Sequence, residues 1–158
     1  RRRPRSTSVL RMAHDFAGAG NATLLELRDL PLDGLLFGRA SDALARAHVL
    51  IAEARAIVLA TPVYKAAYSG LLKTFLDYLP DDALRGKSAY PIATGGSNAH
   101  MLSIDYALKP ILSVLGTSRI LEGLYLTNEA IQLDAGGTAS LSPENSERLK
   151  AGMQALLR

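Results

Sequence analysis

Hydrophobic positions along this chain follow two patterns, short uninterrupted runs and positions spaced three or four residues apart. The run at residues 57–60 has no polar alternation, which is typical of a strand buried on both faces of a parallel sheet. This strand is predicted to end at Thr61 and Pro62, because proline lacks a backbone donor and holds the preceding residue in an extended conformation. The helical spacing that follows predicts a helix that begins near Ser69 and stops at Pro80.

The rest of the chain continues this alternation. Further strands are predicted over residues 22–30, 90–94 and 119–126, and further helices over residues 5–17, 41–54, 98–116 and 142–157. Pro91 suggests that the first residues of its strand lie outside the hydrogen-bonded ladder. The alternation favours an α/β doubly wound fold, in a single domain over residues 1–158.

One proline lies inside a predicted helix. Pro110 removes a backbone hydrogen bond from the helix over residues 98–116 and leaves the carbonyl of Tyr106 without its donor. We therefore expect a kink or a π-bulge around Asp105 and Tyr106, and such bulges often mark functional surfaces.

Two loops are predicted at the carboxyl ends of strands, where open α/β sheets place their ligands. Residues 63–65 follow the first of these strands, and Gly95 with Gly96 follows the second. A glycine pair lets the backbone pass close to a flat ligand, although tight turns use such pairs as often. The start of the first helix, at residues 5–8, carries hydroxyl groups that can cap the helix or, with the backbone amides, hold a phosphate.

Two segments of the sequence resemble a known family. The first is Thr61-Pro62-Val63-Tyr64 followed by Tyr68-Ser69-Gly70-Leu71-Leu72-Lys73 and Asp77, and the second is Ala93-Thr94-Gly95-Gly96-Ser97-Asn98-Ala99-His100 followed by Asp105-Tyr106-Ala107-Leu108-Lys109-Pro110. Both resemble the NAD(P)H-dependent FMN reductases, and within them the branch that supplies reduced FMN to alkanesulfonate monooxygenases. The resemblance runs from about Arg5 to the end of the chain.

The resemblance implies a flavodoxin-like doubly wound fold with a parallel five-stranded sheet. It also implies a central first strand ahead of the polar segment at Arg5. The printed sequence begins at Arg1 without such a strand, and we expect the natural protein to have it.

The resemblance further implies that three loops form one FMN site. The helix start would hold the phosphate, and the two loops would contact the flavin ring from its two sides. The residues are Arg5, Ser6, Thr7 and Ser8 for the phosphate, and Pro62, Val63, Tyr64 and Lys65 with Thr94, Gly95, Gly96 and Ser97 for the ring. The hydride chemistry belongs to FMN and NAD(P)H, so no catalytic acid, base or nucleophile is assigned. His100 is expected near the entrance of the site without a chemical role.

The reaction implied is reduction of FMN by NAD(P)H, with FMNH₂ passed to a flavin-dependent monooxygenase of sulfur assimilation. One alternative is a quinone, azo or metal-ion reductase that keeps FMN as a prosthetic group. Another is a flavodoxin-type electron carrier, but such carriers have a strongly acidic face and this chain has 18 basic against 15 acidic residues. A regulatory domain without flavin is a further alternative, although the central loops lack the aspartate expected of it.

Composition excludes several other functions. The chain is 48% hydrophobic and 21% charged, as in ordinary globular proteins, and has no apolar run of the roughly 18 residues that a membrane helix needs. The absence of cysteine excludes disulfides, thiolate metal sites and thiol catalysis, and a cytoplasmic location fits. Arginines cluster at residues 1–5 without a continuing basic stripe, which argues against nucleic acid. Three scattered histidines provide no metal-ligand spacing.

An assembly of several copies is also expected, most simply a homotetramer. The helix that carries Leu71 and Leu79 has apolar residues on more than one face. Lys73 and Asp77 stand in the less favourable order for a pair within one helix, so they are expected to pair between chains. In the resembling branch the helix that carries Tyr106 makes the subunit contact.

Overall fold

The computed structural model describes residues 4–18, 20–136 and 138–158. The helices are α1 (Arg5–Ala17), α2 (Leu32–Phe37), α3 (Asp42–Glu53), α4 (Gly70–Asp77), α5 (Lys109–Val114) and α6 (Pro143–Leu156). The strands are β1 (Ala56–Tyr64), β2 (Ala67–Tyr68), β3 (Ser88–Gly95), β4 (Arg119–Ile120), β5 (Leu124–Thr127), β6 (Ile131–Leu133) and β7 (Ala139–Leu141). Short 3₁₀ helices cover Leu27–Asp29 and Asn98–His100, and a π-helix covers Ile104–Leu108.

The main sheet is built around β3. Strand β1 pairs with β3 in parallel on one side, and β4 and β5 pair with it in parallel on the other. Helices α1 and α6 supply one apolar core against the sheet, and α3, α4 and α5 supply a second core on the opposite face. The α/β doubly wound fold is therefore confirmed, although the sheet is mixed because the short β2 runs antiparallel to β1. A separate hairpin of β6 and β7 stands apart from this sheet, where no strand was predicted.

Strand β3 is buried on both faces. Ala89 and Ala93 enter one core, and Tyr90 and Ile92 enter the other, as the alternation of side chains along a strand requires. The prediction that Pro91 marks residues outside the ladder is wrong, since pairing with β1 begins at Ser88.

Proline is accepted in this central strand because the neighbouring strand is interrupted beside it. The predicted strand over residues 119–126 is divided into β4 and β5, and its intervening residues form no ladder pair with β3 opposite Pro91. Gly123 lies in this interruption with φ +96°, and a Cβ there would come within 2.9 Å of the Pro91 carbonyl oxygen. A glycine is therefore required where the interrupted strand passes Pro91.

Strand β1 does not end at Thr61 and Pro62 as predicted but continues to Tyr64. Pro62 pairs with Thr94 of β3, and Val63 and Tyr64 pair with β2 in a hairpin. A proline is tolerated in a strand where its nitrogen does not face a neighbour. Pro62 lies just before the residues of β1 that pair with β2, so among the described residues it has a ladder partner on the β3 side only.

A groove of about 460 Å³ lies along the other edge of β1. Residues 57–60 line one wall and residues 22–25 line the opposite wall, with Ala13 and Met153 on one face and Phe75 on the other. The prediction of a strand over residues 22–30 is wrong: residues 22–26 are extended without a strand partner, and residues 27–29 form a 3₁₀ turn. The reason is geometric, because the nearest sheet edge lies across the groove and is not hydrogen-bonded to this segment.

The irregularity expected near Pro110 is confirmed. A π-helix covers Ile104–Leu108 and runs directly into α5, which has Pro110 in its first turn. Lys73 and Asp77 form an ion pair within α4, so the expectation that they pair between chains is wrong. Within the described ranges, no helix is both long and apolar enough to cross a membrane.

Candidate functional site

The first loop of the site is a tight hairpin at the end of β1. Lys65 and Ala66 both have positive φ angles, +51° and +64°, as a two-residue type I′ turn requires. Neither is glycine, so the turn is strained by about 1 kcal/mol or more per residue, and strain of this kind is concentrated at functional sites. The strained turn holds Tyr64 with 61% of its surface exposed.

Hydrogen bonds hold the base of this hairpin against α4. The amide of Ser69 donates to Thr61 Oγ1 at 3.0 Å, and Thr61 Oγ1 in turn donates to Ser69 Oγ at 3.3 Å. Ser69 Oγ also accepts from the amide of Leu72, which makes Ser69 the N-cap of α4, and α4 begins next to Ser69 as predicted. Thr61 is buried, so its hydroxyl fixes the loop from inside the protein.

The second component is the start of α1. Its N-cap is Pro4, and residues 5–8 form the first turn, so no serine or threonine caps this helix through its side chain. The first amides of a helix have no intrahelical acceptor and attract anions. Ser6 and Ser8 are buried beside these amides, and Arg5 is oriented by a bond from its Nε to the carbonyl oxygen of Ile131 at 3.4 Å.

The second loop continues β3. Thr94 is buried, Gly95 is paired with Thr127 of β5, and Gly96 and Ser97 are exposed. A Cβ on Gly95 would lie 2.1 Å from the hydroxyl of Tyr125, so this glycine faces Tyr125 and not an open site. Gly96 has no atom within 4 Å of its Cβ direction and no positive φ, so Gly96 is the member of the pair that faces open space.

The structure brings the helix start and the first loop together at one cavity of about 250 Å³. Ser6, Thr7, Pro62 and Tyr64 line it, whereas Arg5, Ser8, Val63 and Lys65 do not. The second loop does not line this cavity either. It is nevertheless the next loop along the same sheet edge, because Pro62 and Thr94 are partners in the parallel ladder.

These features fit a phosphorylated ligand with a flat ring. The helix start supplies amides and hydroxyls suited to a phosphate, and Gly96 leaves space that any side chain would fill. Within the described ranges, no group of three or more histidine, cysteine or acidic residues could hold a metal ion. His100 is half-buried in the 3₁₀ turn that follows the second loop.

One residue of the site region was missed by the sequence analysis. Tyr125 of β5 donates a hydrogen bond from its hydroxyl to the carbonyl oxygen of Ser97 at 2.6 Å. Burial raises the pKa of this phenol above its usual value, which keeps the hydroxyl protonated as a donor. The signal for this contact lies in the strand register, Ala93 opposite Tyr125, and a single sequence does not reveal that register.

Comparison with known proteins identifies FMN reductases that are similar to this chain. Residues 1–132 match the family model of the NADPH-dependent FMN reductases. An FMN reductase (NADPH) of Pseudomonas putida KT2440 is 43% identical over 131 residues, which is 82% of this chain and 66% of that protein. An FMN reductase (NADPH) of Escherichia coli K12 is 39% identical over 153 residues, which is 95% of this chain and 80% of that protein. The apo crystal structure of the NADH:FMN oxidoreductase EmoB superposes with a TM-score of 0.86 at 32% identity, covering 99% of this chain and 82% of that one.

Proposed function

The chain belongs to the NADPH-dependent FMN reductase family. We propose that it supplies FMNH₂ to a partner flavin-dependent monooxygenase of the alkanesulfonate type, as the sequence resemblance implies. Family membership makes it an oxidoreductase that uses FMN and NAD(P)H. The observation that carries the flavin-binding part of this proposal is the cavity shared by the start of α1 and the hairpin at the end of β1.

We assign the FMN contacts to three segments. The start of α1 would bind the phosphate through its free amides and the hydroxyls of Ser6 and Thr7, with the charge of Arg5 nearby. The hairpin would contact one side of the ring and the second loop the other. The assigned residues are Arg5, Ser6, Thr7, Ser8, Pro62, Val63, Tyr64, Lys65, Thr94, Gly95, Gly96 and Ser97. Of the last four, Gly95 contributes through its backbone, since its Cβ direction is filled by Tyr125.

The chemistry comes from the cofactors. In the balanced reaction, NAD(P)H and one proton convert FMN to FMNH₂ and NAD(P)⁺, with the hydride moving from the nicotinamide to the flavin. The protein's residues bind and orient the two rings, and this positioning is the source of the rate enhancement. We assign no acid, base or nucleophile, and His100 receives no chemical role.

The experiment is an assay of NADPH and NADH oxidation by the purified chain with and without added FMN, followed by gel filtration. We expect oxidation that requires added FMN, flavin that separates from the protein, and product formation when an alkanesulfonate monooxygenase is added. Flavin that stays bound through gel filtration, with electrons passed to a quinone, would favour the prosthetic-group alternative. No pyridine nucleotide oxidation with any acceptor would contradict the proposal.

We also propose a cytoplasmic homotetramer whose contact includes the π-helix. Tyr106 is 79% exposed there, and the nearby apolar side chains of Leu102 and Val114 are exposed as well. The high exposure of Tyr106 argues against the alternative that its side chain packs against its own sheet. Light scattering should detect a tetramer for the natural chain and smaller species for Tyr106→Ala. A monomeric natural chain would contradict the assembly, and a fully tetrameric variant would remove Tyr106 from the contact.

A further inference from the structure

Tyr125 is the one side chain whose hydroxyl reaches across from the neighbouring strand to the second loop of the site, among the hydrogen bonds of the described residues. It lies on β5, whose residues pair with β3 up to Gly95 and Thr127. Its hydroxyl donates to the Ser97 carbonyl oxygen at 2.6 Å, two residues beyond the last paired position. The side chain therefore reaches past the end of the sheet and holds backbone that the sheet does not hold.

The loop that Tyr125 contacts has few other attachments, and the only other hydrogen bond to the Ser97 carbonyl oxygen among the described residues is local, from the amide of His100 at 3.4 Å. The amide of Asn128 donates to the carbonyl oxygen of Gly95 at 2.7 Å, which fixes the loop at its start. Gly96, Ser97 and Asn98 are all exposed beyond this point. Ser97 is extended, with φ −155°, and precedes the 3₁₀ turn, so its carbonyl lies where the chain changes direction.

Gly95 and Gly96 have different surroundings, and Tyr125 is the cause of the difference. The phenol occupies the space beside Gly95, where a Cβ would lie 2.1 Å from the hydroxyl and 3.1 Å from Cζ. Gly96, next in the chain, faces space with no neighbouring atom within 4 Å. Tyr125 therefore fills the side of the loop that Gly95 faces, and Gly96 is the glycine that faces open space.

We propose that Tyr125 is a positioning residue, which fixes the backbone of Gly96 and Ser97 in the conformation that binds the flavin. The identity of the ligand rests on the proposed function, but the ordering of the loop by Tyr125 can be measured in the flavin-free protein. A neutral hydrogen bond contributes about 1 kcal/mol to the stability of the loop conformation. Its loss should therefore weaken the binding of a ligand that needs the ordered loop by about three- to tenfold.

The test uses Tyr125→Phe, which keeps the ring and removes the hydroxyl, with Tyr90→Phe on β3 as the matched control away from the loop. In the flavin-free protein, hydrogen exchange of the amides of residues 96–101 should accelerate in Tyr125→Phe only. FMN titration should give a dissociation constant raised about three- to tenfold in Tyr125→Phe and unchanged in Tyr90→Phe. The KM for FMN should rise by the same factor while kcat at saturating FMN stays unchanged.

A second variant tests the same contact from the glycine side. Gly95→Ala should weaken FMN binding strongly, and Tyr125→Phe combined with Gly95→Ala should be less damaged than the sum of the two changes, because the closest colliding atom is gone. Unchanged exchange of residues 96–101 in Tyr125→Phe would overturn the positioning role whatever the ligand. Accelerated exchange together with no FMN binding by the natural chain would instead overturn the proposed function, and with it the role of the loop in flavin binding.

Discussion

Strands β1 and β3 lie side by side in one parallel sheet and have similar apolar sequences, yet they are buried to different degrees. Every residue of β3 after Ser88 is buried, whereas in β1 only Leu59 and Thr61 are. The difference follows from their neighbours: β3 has a strand on each side, and β1 has the groove along most of its second edge. An apolar run therefore predicts a strand well, but how deeply it is buried depends on what lies beside it.

The largest expected effect is on stability, and two identical substitutions measure it. Ile92 is fully buried in β3, and Ile57 is half-buried in β1 along the groove. Ile92→Ala should lower the free energy of unfolding by about 2–5 kcal/mol, because a buried side chain is lost and a cavity is left. Ile57→Ala should cost about half as much or less, because the groove already leaves part of this side chain unpacked. Urea unfolding measures both, and equal losses would show that the groove closes around Ile57 in solution.

A smaller effect should appear in alkaline solution. Tyr90 of β3 is 3% exposed and packs so closely against α6 that a Cβ on Gly152 would lie 2.2 Å from its ring. Burial raises the pKa of Tyr90 to about 12, from an ordinary value of 10.0. The unfolded chain ionises first, so this contribution to stability is complete below pH 10 and is lost as the pH rises toward 12.

Tyr90→Phe isolates that contribution, since the other tyrosines stay in place. Over the interval from pH 10 to 12, the natural chain should lose stability faster than the variant, as followed by urea unfolding at each pH. Parallel curves would contradict a phenol that is kept neutral inside the core.

Sequence was sufficient where local chemistry decides the structure. The start of α4 near Ser69, the start of the last helix at residues 142–143 and the π-helix upstream of Pro110 all depend on nearby residues, and all three are confirmed. It was insufficient where a distant strand decides. Pro91 is accepted because the strand beside it is interrupted, and residues 22–26 remain unpaired because no strand lies within reach.

The same distinction holds at the candidate site. The two loops were predicted from their position at strand ends and the start of α1 from its hydroxyl groups and the family resemblance, and the structure brings the start of α1 and the β1 hairpin to one cavity. The contact of Tyr125 with Ser97 depends on strand register and was not predictable.

FMN titration of the natural chain against Gly96→Ala and Gly96→Val tests the flavin site most directly. Gly96 has neither a positive φ nor a neighbouring atom within 4 Å of its Cβ direction, so these side chains should leave folding and the thermal midpoint nearly unchanged. If the flavin ring lies against this loop, the dissociation constant should rise from glycine to alanine to valine, by about tenfold or more for valine, because filling an occupied site costs about 1–3 kcal/mol. Equal affinity in all three proteins, or no FMN binding by the natural chain, would contradict a flavin site at the ends of β1 and β3.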